Sequence, residues 1–393
     1  MDASLRRFSI FYFCYYAALG AYTPYVGRWV DALGHGGYVV GGMLGLWYGT
    51  RIVAPPAWAA LTGRSPKPGH WFVAGCALTL LCFSAFLFTG SAWALLAVMA
   101  VFGLFYNAVM PQFEAMTLTA LGPRANLYGR LRVWGSIGFL IVAGTYGALL
   151  DRVGAEHFAW VALPLFALML AAAWPHRHDR QVEHPPTAAD AGHLFKRPGV
   201  RRFLLVALLM QASFGPFYVF YTLHLQAAGH SGATVGGLWA LGVLIEIAMF
   251  WQAPKLIARF GASRLLMVCL AVTVLRWTAT ALYAESLPIM ALAQTTHALS
   301  FATFYACCMR LMADFFPGRR AGAGQSLFFG FSQGVGGVLG AGLAAVAWER
   351  SGGELAFLVG AGVAAVAWVL YALRRRPGAG PVLSPTPSPR APD

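Results

Sequence analysis

The chain has 393 residues, 59% of them hydrophobic and 11% charged, with a mean hydropathy of +0.62 and a formal net charge of +14. A soluble domain keeps roughly a quarter of its residues charged, so this composition excludes a water-soluble globular protein and points to one that faces lipid. Nucleic acid is not needed to explain the basicity, because 22 of the 28 Lys and Arg fall in alternate loops and tails assigned to one side, against Arg28, Arg152 and Arg350 on the other.

Taken in order, the predicted spans are 8–30, 38–62, 70–89, 92–120, 130–150, 157–174, 202–225, 233–258, 264–284, 286–313, 323–348 and 354–373. Helix is the state that lipid permits, since a span must satisfy its own backbone polar groups. Arg6 and Arg7 precede an apolar run that continues to Val30, too long for the core of a cleavable signal, so it is expected as the first span. The polar, Pro-rich stretch 175–201 divides the chain. The fold class expected is therefore an all-α membrane protein, with twelve transmembrane helices in two pseudo-symmetric six-helix bundles. Residues 1–174 form the first bundle, 175–201 a cytoplasmic linker, 202–376 the second bundle and 377–393 a disordered cytoplasmic tail. The one-sided Lys and Arg place both termini in the cytoplasm, in a bacterial-type inner membrane.

The halves echo one another weakly. Arg124, Gly129, Gly135 and Gly138 sit against Arg319, Gly324, Gly330 and Gly334, and Phe105-Tyr106 against Phe304-Tyr305. Internal repeats of this kind belong to proteins that rock two halves about a central site. Spans five and eleven are rich in glycine, as tight helix packing requires, and such smooth faces also suit sliding. All six cysteines lie inside apolar runs without zinc-ligand spacing, and are expected as small buried hydrophobes.

Ionisable groups within spans cost several kcal/mol unless paired or hydrated, so each is a functional candidate. They are Arg51, Glu114, Arg132, Glu246, Arg276 and His297. Glu114 lies before the loop between spans four and five, and Arg132 after it, at similar depth. They are expected to meet as an ion pair, as a structural pair or with a ligand between them. Glu246, Arg276 and His297 fall near the middles of spans eight, nine and ten, where they suit proton handling or sit as satisfied core residues. Arg51 is a gate residue or a substrate contact. Aromatics crowd spans one, five and seven, among them Tyr12, Tyr16, Tyr22, Trp134, Phe139, Tyr218 and Tyr221; most face lipid or core, and those on the face of the charges suit a cyclic ligand.

These residues resemble a known group. Leu19-Gly20-Ala21-Tyr22-Thr23-Pro24-Tyr25 with Trp29 looks like the first span of the lactose permease group. Pro111-Gln112-Phe113-Glu114-Ala115 with Gly129-Arg130-Leu131-Arg132-Val133-Trp134-Gly135-Ser136 looks like its solute-holding pair of spans four and five. Trp239-Ala240-Leu241-Gly242-Val243 with Glu246, Arg276-Trp277, His297 and Met309-Arg310 are similar to the phenylpropionate permease-like branch. Ala253-Pro254-Lys255-Leu256 through Arg259-Phe260-Gly261 resembles the facilitator loop motif, whose Asp is missing from Leu61-Thr62-Gly63-Arg64-Ser65-Pro66. Ser300 stands where the lactose permease group has a carboxylate three residues after its histidine.

The resemblance implies the major facilitator fold and a secondary active transporter. Glu114, Arg132, Phe139, Tyr22 and Arg51 would bind substrate, while Glu246, Arg276 and His297 would couple protons. Three arginines and a histidine against two glutamates favour an organic anion, an aromatic acid first. The expected partners are a small organic solute, protons and the lipid bilayer, with no cofactor, metal or nucleic acid, and the protein is expected as a monomer. Proton-coupled efflux of drugs or metabolites and proton-coupled uptake of a sugar or nucleoside are the rivals within transport. A membrane receptor or enzyme is the rival outside it, with no nucleophile constellation or phosphate loop in the sequence to support it.

Overall fold

The computed structural model describes residues 3–63, 65–181, 197–316, 324–325 and 327–373, and among them every regular element is helical. The expected tail 377–393, the middle of the linker, Arg64, Arg319, Arg320 and the cluster Arg374–Arg376 lie outside the described residues.

Six helices form a first group: α1 (Ala3–Ala32), α2 (Gly37–Thr62), α3 (Pro68–Ser84), α4 (Ala92–Leu121), α5 (Tyr128–Val153) and α6 (Phe158–Ala173). A second group follows: α7 (Pro198–Ser213), α8 (Gly215–Ala227), α9 (Gly232–Phe260), α10 (Ala262–Leu282), α11 (Leu287–Thr295), α12 (Phe304–Phe315) and α13 (Gly336–Ala372). Local chemistry sets many of the ends. Ser91 and Ser231 accept the backbone N–H of Ala94 and Thr234 at the starts of α4 and α9, and positive-φ glycines, Gly122, Gly154 and Gly261, stop α4, α5 and α9.

Three predicted spans are interrupted. The seventh breaks at Phe214, where Pro216 cannot donate into a continuous ladder, giving α7 and α8. The tenth and eleventh each contain π-helical turns, Ala298–Thr303 between α11 and α12 and Phe328–Val335 before α13. Such turns widen a helix and concentrate at functional positions. α13 folds back on itself at Ser351-Gly352, with Gly352 at φ +68°.

Seven continuous helical stretches among the described residues are long and apolar enough to cross a bilayer. Ala92–Val153 and Phe328–Ala372 each merge two predicted spans across a turn, and 62 residues in the first would measure about 93 Å if straight, three times the hydrocarbon thickness. α1 and α2, of 30 and 26 residues, are long enough to cross but are not among these seven. The molecule is a multi-pass membrane protein.

Two large cores result. One is built mainly from α1–α6 around Phe11, Phe72, Phe102 and Phe113, the other mainly from α7–α13 around Phe217, Trp239, Trp277 and Phe357. The chain's start is tied to the end of α6: Arg7 pairs with Asp179 at 2.8 Å and donates to the Pro175 carbonyl, and His176 is fully buried against Asp179. We call this the terminal end, and the opposite one, carrying the end of α1 and the start of α2, the distal end.

The groups meet chiefly through α5 on α9, α2 on α13 and α1 on α8. At the first of these, Gly147 and Gly232 each face the other's backbone, with no room for a Cβ on either. Gly41 packs on Ala345 in the second, and Gly27 on the Val219 carbonyl in the third. All of these contacts lie in the distal half of the molecule.

Candidate functional site

The densest polar cluster is built from α9, α10 and the turn after α11. Arg276 is 3% exposed, with its guanidinium carbon 4.4 Å from the Trp277 ring centre and 4.7 Å from that of Phe217. It donates to His297 Nδ1 at 2.8 Å, to Ser300 Oγ at 2.9 Å and to Gln294 Oε1 at 3.1 Å. Guanidinium has no acceptor, so Nδ1 must offer a lone pair, and the remaining ring proton belongs on Nε2. That nitrogen lies 3.4 Å from Glu246 Oε2, and the ring stacks on Phe301. Gly242 on α9 leaves the space into which Gln294 and His297 fit. The sequence expectation that Glu246, Arg276 and His297 lie together is therefore observed.

Arg276 makes no ion pair with a carboxylate among the described residues. Its positive charge is met by neutral acceptors and aromatic faces, and only through the His297 ring by Glu246. A buried cation so placed favours an incoming anion.

On the first group, Arg132 lies over the Tyr16 ring at 3.9 Å and near that of Tyr12 at 5.8 Å. Glu114 accepts from the Tyr128 hydroxyl at 3.2 Å. No direct Glu114–Arg132 ion pair forms; the guanidinium takes the tyrosine face and the carboxylate takes the phenol, because Tyr12, Tyr16 and Tyr128 converge around both. Arg132 is nevertheless within electrostatic reach of Glu114, and also of Glu246 across the two groups, while Tyr305 of the second group is within reach of both Glu114 and Arg132. The two constellations that the sequence presents separately thus face one another.

Tyr218 on α8 joins them, since it is near Tyr48 and Arg51 of α2 and within reach of Glu246 and Arg276. Arg51 is exposed, with its guanidinium 5.8 Å from the Tyr48 ring centre. Phe139 is half-buried and packs on the second core. Tyr22 is not brought to the site: it is 1% exposed inside the first core, stacked on Trp47, with its hydroxyl donated to Met99 Sδ. Trp134 is 42% exposed on the outer surface.

One turn along α9 from Glu246, Phe250 and Tyr305 border a cavity of about 1060 Å³ that continues past Met309 to Arg264, Arg310 and Asp314 at the terminal end. Sequence reasoning missed Gln294 as a site residue and took Ser300 only as a missing carboxylate. Their signal was spacing, since they lie three residues before and after His297 on one helical face.

Relatives agree with this architecture. The chain is 28% identical over 327 residues, 79% of its length and 82% of the other's, to a probable 3-phenylpropionic acid transporter of Escherichia coli (strain K12). It is 27% identical over 297 residues, covering 74% of itself and 73% of the relative, to the maltose permease of Geobacillus stearothermophilus. Its fold is similar to that of the nucleoside transporter NupG in a mutant form, with a TM-score of 0.87 over 95% of this chain and all of that one at 14% identity. The human organic anion transporter MFSD10 aligns with a TM-score of 0.61 over 94% of this chain and all of that one, at 16% identity. Over residues 5–359 the sequence matches the MFS_1 like family, so the chain belongs to that family and is a membrane transporter rather than an enzyme.

Proposed function

We propose that the protein is a proton-coupled symporter that moves a small organic anion, an aromatic acid first, by alternating access. The observation that carries this reading is that Glu246, joined to Arg276 through His297, is also within electrostatic reach of Arg132, with Arg132 backed by Tyr16 and Arg276 by Trp277 and Phe217. Two guanidiniums backed by aromatic faces suit a carboxylate and a ring in one ligand. The Escherichia coli relative, a probable 3-phenylpropionic acid transporter, agrees with that chemistry.

In this reading the helices pair into twelve spans, six in 1–174 and six in 202–376, with both termini in the cytoplasm of an inner membrane and a monomer as the working unit. The distal end is then the outer face, and the contacts of α5 with α9 and of α2 with α13 hold it closed, so solute reaches the site from the cytoplasmic side. Glu246 carries the proton, His297 links it to Arg276, and Arg132 and Glu114 contact the solute with Arg51 and Phe139 nearby. A charged Glu246 competes with the solute anion for Arg132. Its protonation frees that arginine for the solute, which ties the two movements together.

Sugar uptake is the second reading, favoured by the 27% identical maltose permease. Flux into sealed proteoliposomes separates the two. With an inward proton gradient, 3-phenylpropionate should accumulate above its outside concentration and the gradient should run down with it. Accumulation of maltose without 3-phenylpropionate would transfer the conclusion to the second reading, and binding without flux of either would overturn both.

A further inference from the structure

The distal closure contains a device used twice. At the end of α5, Asp151 reaches into the second group, where its Oδ2 accepts the backbone N–H of Ala233 in the first turn of α9 at 3.3 Å. Arg28 of α1 holds that carboxylate at 2.8 Å. With the Gln226 amide turned so that its oxygen faces the guanidinium, Arg28 NH1 and Nε also lie 3.1 Å from this residue of α8. At the matching place on the other side of the molecule, Glu349 of α13 reaches into the first group. Its carboxylate lies against Gly36 and Gly37, at the first turn of α2, so closely that a Cβ on Gly36 would collide with Oε1. Gly36 is the N-cap of α2 and has no side chain to satisfy the free N–H groups there. In both places a carboxylate of one group lies at the positive start of a helix in the other, Asp151 through a backbone hydrogen bond and Glu349 through close contact alone.

We propose that Asp151 and Glu349 form a two-point clasp that favours the distal-closed state, and that release of both carboxylates accompanies distal opening. Each would lose its helix-start partner when the groups part there; Asp151 then keeps only Arg28 of its own group, and Glu349 is left to water. The stabilisation is thus specific to one state, which is the condition for shifting a conformational equilibrium. A carboxylate at a helix start contributes roughly two- to fivefold to such a ratio, and two independent ones about four- to twenty-five-fold. The opening step rests on the alternating-access reading, whereas the test below measures exposure and not transport.

The test uses Thr222→Cys in a chain whose six native cysteines are replaced. Thr222 is 4% exposed and its hydroxyl donates to the Pro24 carbonyl across the two groups, so a thiol there reacts with a membrane-impermeant maleimide when the distal end opens. In lipid nanodiscs, Asp151→Asn and Glu349→Gln should each raise the alkylation rate severalfold, and the double variant should raise it by about the product. Asp151→Glu should retain the slow rate, as should Asp31→Asn, which removes a carboxylate at the same end of α1. Thermal unfolding and a monodisperse profile establish that each variant is folded, and Glu349→Gln alone suffices if Asp151→Asn is not. An unchanged rate in folded Glu349→Gln and in the double variant overturns the clasp. Faster alkylation in a protein that moves no solute would retain the clasp and overturn the transport reading.

Discussion

Arg276 NH1 lies 2.8 Å from His297 Nδ1, a cation donating to an imidazole that must be neutral to receive it. The same donation aims the ring's Nε2 proton at Glu246, so the arginine sets the tautomer of the group that touches the acid. His297→Phe keeps the stack on Phe301 but leaves a guanidinium donor unpaired inside the protein. A lost buried partner costs about 1–3 kcal/mol. The variant should therefore unfold several degrees lower and lose proton-driven accumulation. His297→Gln, which can still accept through its amide oxygen, should recover part of both. Equal behaviour of the two variants in thermal unfolding and uptake would remove the tautomer-setting role.

Arg132 should not tolerate lysine. Its guanidinium carbon lies 3.9 Å from the Tyr16 ring centre, and an ammonium offers neither a planar surface for that ring nor a forked pair of donors for a carboxylate. Charge-assisted hydrogen bonds contribute about 1.5–3 kcal/mol. Binding of 3-phenylpropionate should consequently weaken between tenfold and a hundredfold in Arg132→Ala, and by most of that in Arg132→Lys. Calorimetric titration in detergent reads this directly, and near-native affinity in Arg132→Lys would place the solute carboxylate elsewhere.

Much of this was legible in the sequence because lipid penalises charge so heavily. Five of the six ionisable residues singled out in spans, all but Arg51, prove to be at least partly buried, and Glu246, Arg276 and His297 fall together as their depths implied. Their partners were harder to read. Gln294 and Ser300 are ordinary polar residues, and only the i±3 spacing around His297 marks them. The relation of Arg132 to Glu246 is absent from the sequence, since it depends on how two groups dock through contacts such as Gly147 on Gly232. Tyr22 shows the opposite error: a family-like frame drew it into the site, while its neighbours Trp47 and Phe102 hold it in the core. Breaks were also hidden, because the π-helical turns have no fixed residue signature, although Gly215-Pro216 announces the break in span seven.

The packing of α7 and α8 on α13 gives a stability prediction independent of transport. Gly215 lies against the backbone of Gly340, and Gly340 in turn faces the backbone of Ala212, so neither can accept a Cβ without the helices moving apart. Overpacking of this kind costs typically about 1–3 kcal/mol. Gly340→Val should lower the thermal unfolding midpoint by several degrees, whereas Gly342→Ala on the same helix, where a Cβ meets open space, should leave it near native. Similar midpoints for the two variants would show that this interface yields more readily than its geometry implies.

Coupling is the most demanding prediction. A symporter must link solute movement to a group that changes charge inside the membrane, and guanidinium cannot serve because it keeps its proton. That leaves Glu246, Glu114 and His297 in the site. His297 is committed as an acceptor to Arg276, so taking a second proton would place two cations in contact. Glu114 is engaged by the Tyr128 hydroxyl and lies toward the terminal end of α4. Glu246 alone lies between the His297 ring and the field of Arg132, where losing its charge would change what both groups can bind. Glu246→Gln mimics the protonated acid in size and charge. It should therefore bind and exchange 3-phenylpropionate across the membrane while failing to concentrate it under a proton gradient. Counterflow and gradient-driven uptake measured on the same proteoliposomes separate these behaviours. Retained accumulation in Glu246→Gln would move the proton to Glu114, and Glu114→Gln should then show the uncoupled pattern instead.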